Sequence, residues 1–331
     1  MSDLDRRVFL QQAAALAGAS VLGGVWNPRL ALATIRDPEV AGYAAVKGGR
    51  IWYRMNGCHH FSAGKVPVLV IHGGPGMSHH YLLPLAGLAD ERPVILYDQL
   101  DCGNSERPGD RANWTVERFV SEIDRLRDAL GLERLFVLGN SWGGTVAAEY
   151  AMRQPKGLVG LVLASPLIST ARWIADNTAY RHQLPPEVQK VLDRHEAAGT
   201  IDSQEYQDAV MVFYKRHLTR MEPWPEEMNK TFEVFSVSLY NYMWGNTEFN
   251  CSGTLKDYDS TSRLKQIQVP TFYTCGEFDE CTPAASRFFS SLTPGSQVTV
   301  IPNASHTAFL EKPEEYRATV KAFFSRVETS T

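Results

Sequence analysis

No Cys-x-x-Cys pair occurs among the five cysteines, Cys58, Cys102, Cys251, Cys275 and Cys281, so no zinc-type ligand spacing exists. Their odd number leaves at least one thiol unpaired. An excess of positive charge is also missing: 33 Lys plus Arg stand against 37 Asp plus Glu, a net charge of −4. A nucleic-acid partner calls for a basic face, and this balance argues against one. The apolar run at residues 13–25 spans 13 residues, short of the ~20 needed to cross a bilayer core of ~30 Å. Internal repeats and low-complexity tracts are lacking, which excludes solenoid and fibrous architectures. No Gly-Lys-Ser/Thr follows the glycine-rich stretch at 72–76, so it is not a phosphate-binding loop. The pairs His59-His60 and His79-His80 are adjacent residues, which point apart on a helix or strand, so neither pair is expected to chelate a metal. What remains is a chain of 331 residues, 44% apolar and 21% charged, the composition of a soluble globular protein.

The N-terminus reads as a targeting segment. Arg6-Arg7 precedes Val8-Phe9-Leu10, the apolar run follows, and Ala31-Leu32-Ala33 supplies a small-x-small cleavage pattern. Charge, run and cleavage pattern in this order resemble a twin-arginine export signal over residues 1–33. The expected location is periplasmic or secreted, with no stable membrane anchor once the signal is removed. In an exported chain, Cys275 and Cys281 are candidates for a disulfide as well as for free thiols.

Beyond residue 40 the pattern becomes regular. Residues 43–56 alternate loosely around Gly48-Gly49 and predict a hairpin. Compact apolar runs at 66–72, 93–99, 134–140, 158–165, 269–276 and 297–302 predict buried strands of a parallel sheet. Val116, Phe119, Val120, Ile123, Leu126 and Leu130 recur at helical spacing, with Thr115 as N-cap and Gly131 as stop. Strand–helix alternation of this kind predicts a doubly wound α/β sheet. It lapses over residues 166–263, where helical segments at 186–198 and 203–218 and no clear strand predict a helical cap between two parts of the core, 34–165 and 264–331.

The chemistry is carried by three segments in a set order. Gly139-Asn140-Ser141-Trp142-Gly143 is a G-x-S-x-G between a strand run and a helical run. A serine hydroxyl is a poor nucleophile until a base takes its proton, and the strand–turn–helix elbow exposes its Oγ to such a base. An acid and then a histidine should follow in the chain. Asp279, in Gly276-Glu277-Phe278-Asp279, ends one strand run, and His306 ends the next. Asp257, Asp259, Glu277 and Glu280 are rival carboxylates. The acid would hold the imidazole tautomer and stabilise the imidazolium. His72-Gly73-Gly74-Pro75-Gly76 follows the first parallel-strand run, where a glycine-rich turn can aim backbone N–H groups at a developing oxyanion; Gly74 and Trp142 are the expected pair. Together these predict an α/β-hydrolase fold: a mostly parallel doubly wound sheet with an inserted helical cap.

His72-Gly73-Gly74-Pro75-Gly76 with Gly139-Asn140-Ser141-Trp142-Gly143-Gly144 resembles the proline iminopeptidase family of serine peptidases. Residues 98–105, Asp-Gln-Leu-Asp-Cys-Gly-Asn-Ser, resemble that family's D-Q-x-x-x-G-x-S loop. Thr247-Glu248-Phe249 and the stretch 253–259 resemble its N-E-F and G-T-x-K-D-W-D segments, which mark the tricorn-interacting aminopeptidase and L-amino-acid amidase branch. The resemblance spans about residues 40–325 and implies substrates with a free α-amino group, held by Glu248 and Glu280. It implies a serine aminopeptidase that releases an N-terminal proline or small apolar residue from short peptides, without metal or organic cofactor. An amino-acid amidase or arylamidase is the alternative; a carboxylesterase or lactonase would leave the two glutamates nothing to hold. A catalytically silent binding protein fits an intact triad poorly. Trp244-Gly245-Asn246-Thr247 departs from the family's N-G-P-N before the glutamate, which bears on the side-chain pocket.

Overall fold

The computed structural model describes residues 37–330. The export segment at 1–33 lies outside the described residues.

The apolar runs form one eight-stranded sheet in the order β1-β2-β4-β3-β5-β6-β7-β8. Its strands are β1 (Val40–Val46), β2 (Gly49–Asn56), β3 (Val68–Ile71), β4 (Val94–Tyr97), β5 (Leu135–Asn140), β6 (Leu158–Ala164), β7 (Thr271–Gly276) and β8 (Gln297–Ile301). β1–β2 and β2–β4 are antiparallel; the rest is parallel. Both faces are covered, which is why β3, β4 and β6 read as unbroken apolar runs. Leu69, Ile71 and Val137 face one core, with α1 (Val116–Leu130) and α2 (Trp142–Met152). Val68, Val70 and Phe136 face the other, with the 3₁₀ segment His79–Asp90 and the C-terminal helix Pro313–Thr329. The first strand starts before the expected residue 43 because β1 is an edge strand whose residues are mostly exposed, leaving little apolar pattern to read.

Local signals set α1. Thr115 Oγ1 accepts from Arg118 N–H at 3.2 Å, and Gly131 ends the helix at φ 64°. Phe119, Val120, Ile123 and Leu126 form its buried stripe. Between β6 and β7 the chain forms five α-helices, α3 (Thr170–Arg181), α4 (Pro186–Ala198), α5 (Gln204–His217), α6 (Glu226–Glu233) and α7 (Val237–Met243), and a 3₁₀ segment, Thr261–Gln266. α4 and α5 share a small core of their own around Leu192, Tyr206 and Phe213. The remaining helices are α8 (Pro283–Leu292), α9 (Ala308–Glu311) and α10 (Pro313–Thr329).

After β3 the chain runs outward to β4, then crosses back through α1 to β5 on the other side of β3. That reversal opens a crevice at the carboxyl ends of β3 and β5, where ligands of open α/β sheets bind. The glycine-rich 72–76 turn and Ser141 stand on its two sides. All five cysteines are free thiols, Cys275 and Cys281 included, and both of these are buried.

Candidate active site

Ser141 links β5 directly to α2 and holds φ 56°, ψ −121°, strained for a residue with a side chain. The turn is possible only because its neighbours lack one. A Cβ on Gly139 would overlap the Gly143 carbonyl, and a Cβ on Gly143 would overlap the carbonyl of Ile71 on β3. The strained backbone is fastened by Ser141 N–H to Ala164 O at 3.0 Å and by Gly144 N–H to Ser141 O at 2.8 Å.

Asp279 follows β7 and His306 follows β8. His306 Nδ1 donates to Asp279 Oδ1 at 2.8 Å. Asp279 is fully buried, and its other acceptor sites are filled by Cys281 N–H (2.8 Å), Gly276 N–H (3.0 Å) and the Ser165 hydroxyl. Of the rival carboxylates, Glu277 accepts from Asn303 N–H, Asp259 is bound to Ser169 and Thr261, and Asp257 is exposed. Glu280 does approach the imidazole, but from the other side, with Oε1 3.5 Å from Nε2.

The 72–76 turn is braced from below. Burial drives His72 down to about 4, so its ring is neutral at pH 7. His72 Nε2 accepts from Gln99 N–H at 3.0 Å, and Gln99 Nε2 donates to His72 O at 2.8 Å. Gln99 Oε1 accepts from the Trp142 indole N–H at 2.9 Å. One buried amide thus joins the turn to the residue after Ser141. Tyr81 adds a second tie, accepting from Gly73 N–H (2.7 Å) and donating to Asn140 Oδ1 (2.6 Å). Trp142 is the first residue of α2, so its own N–H has no intrahelical acceptor. Gly74 sits at φ 112° on the cavity wall, a conformation open to glycine alone.

A cavity of about 390 Å³ lies over Ser141 and His306, walled by residues of α3, α5, α6 and α7 and of the turn after α4. Glu248, from the segment after α7, and Glu280, from the loop after β7, both line it. Glu248 is carried by a turn after α7 whose Trp244 indole donates to Thr247 O at 3.1 Å, and Phe249 packs edge-on against Phe213 at 4.9 Å. Glu248 Oε2 accepts from the Tyr214 and Tyr240 hydroxyls at 3.0 and 3.1 Å. Glu280 is buried, and its Oε2 has no partner. Burial raises both carboxyl pKa values. In Glu280 the negative Glu248 and Asp279 push further up; in Glu248 the two phenols pull down.

Sequence reasoning missed several supports of this site. His217 O accepts from His306 N–H at 3.1 Å while its Nδ1 bonds Phe278 O at 2.8 Å, joining the end of α5 to both loops. Glu311 accepts from Ser305 N–H at 3.0 Å, one residue before His306. Gln99 stood in a recognised motif, yet no spacing signalled its bond to Trp142. Each pairing joins segments distant in the chain.

A strand–serine–helix elbow on a mostly parallel sheet, with an acid after β7 and a histidine after β8, defines an α/β hydrolase, and the α/β-hydrolase fold family matches residues 66–313. The proline iminopeptidase of Heyndrickxia coagulans is 42% identical over 287 residues, 86% of this chain and 99% of that one. The proline iminopeptidase of Saccharolobus solfataricus is 34% identical over 86% of this chain and 92% of its own length. Among solved structures, VinJ superposes with a TM-score of 0.84 at 38% identity, covering 88% of this chain and 100% of that one. The proline iminopeptidase of Mycobacterium smegmatis gives a TM-score of 0.82 at 38% identity, covering 88% and 99%. The chain belongs to the proline iminopeptidase family of α/β hydrolases, and it is a hydrolytic enzyme of the serine aminopeptidase type.

Proposed function

We propose that the protein removes a single N-terminal residue, proline or a small apolar one, from short peptides through an acyl-enzyme, and that Glu248 and Glu280 hold the substrate's free α-amine. The observation that carries this is buried Glu280 beside the imidazole, with half-buried Glu248 on the wall of the same cavity. Glu280 Oε1 lies 3.5 Å from His306 Nε2, and Glu280 Oε2 has no partner. An unpartnered buried acceptor is costly unless a donor arrives to fill it. An ammonium group is such a donor, and it lets both carboxyls ionise.

In this mechanism Ser141 Oγ attacks the carbonyl carbon of the first residue as His306 Nε2 takes its proton. The Asp279 carboxylate keeps the Nδ1 proton in place and stabilises the imidazolium. The Gly74 and Trp142 N–H groups receive the oxyanion; one such donor is worth about 10²–10³ in rate. His306 then passes its proton to the leaving amine, the C–N bond breaks, and the acyl group stays on Ser141. Water, deprotonated by His306, releases the free amino acid by the reverse steps. The glutamates fix the register, because an amine clamped beside the base brings only the first carbonyl to Ser141. The same reading takes residues 1–33 as an export signal, which puts the reaction outside the cytoplasm.

An aminoacyl anilide with a free amine is expected to be cleaved and its N-acetylated counterpart to resist. Equal rates on the two would remove amine recognition and leave a general amidase or esterase.

A further inference from the structure

The turn that leaves β6 touches every member of the proposed triad. Ala164 O, the last carbonyl of β6, accepts from Ser141 N–H at 3.0 Å, and Leu167 N–H donates back to Ser141 O at 3.1 Å. Between them stands Ser165, which is buried and whose N–H donates to Thr274 O on β7 at 2.7 Å. The Ser165 hydroxyl donates to Asp279 Oδ2 at 2.5 Å, within the range of a hydroxyl on a carboxylate, and lies 3.5 Å from His306 O. Ser165 also holds φ 51°, in the left-handed region where a Cβ is disfavoured and glycine meets no penalty. Glycine would fit this backbone more easily; what serine adds is a hydroxyl, and that hydroxyl is bonded to the acid.

We infer that Ser165 is a positioning residue for the hydrolytic reaction: its hydroxyl fixes the outer oxygen of Asp279, which keeps Oδ1 turned to His306 Nδ1. The inference rests on the assignment of Ser141, Asp279 and His306 made above. Asp279 Oδ2 has two donors, the Ser165 hydroxyl and Gly276 N–H at 3.0 Å, while Oδ1 takes Cys281 N–H at 2.8 Å and the imidazole at 2.8 Å. With the hydroxyl gone, Oδ2 keeps a single N–H. The carboxylate is then freer to rotate about its Cβ–Cγ bond, and its negative charge is less stabilised, which makes it more basic. A more basic acid holds the imidazolium more tightly, so His306 gives up its proton at a higher pH. A charge-assisted hydrogen bond of this kind corresponds to about ten-fold in an equilibrium or a rate. Loss of the hydroxyl therefore lowers kcat and moves the acidic limb of kcat/KM upward.

The test measures kcat, KM and the pH dependence of kcat/KM on a free-amine aminoacyl anilide for the parent, Ser165→Ala, Ser165→Gly and Asp279→Asn. Both Ser165 variants lack the hydroxyl, but only the alanine keeps a Cβ at positive φ, so the glycine variant should melt higher than the alanine one. Expected for both is a kcat about five- to thirty-fold lower, a KM within about two-fold of the parent, and an acidic limb raised by about half a pH unit. Glu248, Glu280, Glu311, His217, Cys281 and Tyr180 also act on the Asp279–His306 pair, and they are common to all the proteins compared. A Ser165→Gly protein with the parent's kcat and acidic limb would overturn the inference, even where Ser165→Ala is impaired, because backbone strain alone then explains the loss. A loss carried by KM would overturn it too. Asp279→Asn is expected to lose about 10⁴-fold in kcat. If it matches the parent, the triad assignment fails instead, so the two failures are distinguishable.

Discussion

If Glu280 holds the substrate amine as proposed, function and stability pull in opposite directions there, and Glu280→Gln exposes both. In the ligand-free enzyme this carboxyl is buried, lacks a partner at Oε2 and faces the negative Glu248 and Asp279, so its pKa is raised well above the ordinary carboxylate range. A raised carboxyl pKa means that the folded state holds a proton the unfolded chain has given up. Stability from this group is therefore full below the unfolded value of about 4.3 and is lost as pH climbs from there through the folded value. A like charge in the same cavity costs on the order of 1–2 kcal/mol at an effective dielectric of about 20, and proton uptake by Glu280 limits the loss. Neutralising the residue with an isosteric amide should thus raise neutral-pH stability by about 1–2 kcal/mol, or a Tm increase of about 2–6 °C in a chain of this size. The same variant should lose about ten- to a hundred-fold in kcat/KM on free-amine substrates, since one charge-assisted bond to the ammonium is gone. Thermal melts of both proteins from pH 4.5 to pH 8 measure the first effect, and anilide kinetics the second. The stability gap should open as pH rises and close near pH 4.5. A variant less stable than the parent at pH 8, or a gap indifferent to pH, would refute the electrostatic account.

A fluorophosphonate should label the protein and fail to label Ser141→Ala; labelling that persists would move the nucleophile elsewhere. Gln99→Met removes the amide that joins His72 O to the Trp142 indole while keeping the side-chain volume. If the Gly74 and Trp142 N–H groups receive the oxyanion as proposed, the variant should lower kcat about ten- to a hundred-fold with KM changed less than about three-fold, because Gln99 braces the 72–76 turn and Trp142; a loss confined to KM would contradict that role. Arg6-Arg7→Lys-Lys should leave the precursor in the cytoplasm, as cell fractionation would show, and unchanged export would rule out the twin-arginine assignment.

Much of the scaffold was legible because its causes are local. Thr115, the apolar stripe of α1 and Gly131 act within a few residues of one another, and the helix begins and ends where they place it. The buried strands announced themselves because a sheet covered on both faces needs apolar residues at every position. β1 was read short because an exposed edge imposes no such need. Within residues 166–263 the helical pattern does not show α3, α6 or α7: α6 and α7 are only 8 and 7 residues long, and α3 buries only Thr170, Trp173 and Asn177, too few apolar positions for a helical period to emerge.

The elbow was legible for a steric reason. Gly139 and Gly143 are glycines because β5, β3 and α2 meet around Ser141 with no room for a Cβ, so the demand of the fold is written in five consecutive residues. The order of Ser141, Asp279 and His306 along the chain could be read in the same way, each at the end of a strand. What only the tertiary structure decided is how these groups are held and what faces them. The Tyr214 and Tyr240 hydroxyls on Glu248, the Gln99 amide under Trp142, His217 between the Asp279 and His306 loops, and the empty acceptor on Glu280 all join segments far apart in sequence. Such contacts depend on crossing and packing, which leave no period or spacing in the chain. The sequence alone therefore determined that a serine, an acid and a histidine would stand at the ends of strands of one parallel sheet; the packed structure decided that they would share a cavity with a buried carboxyl, Glu280, and a half-buried one, Glu248.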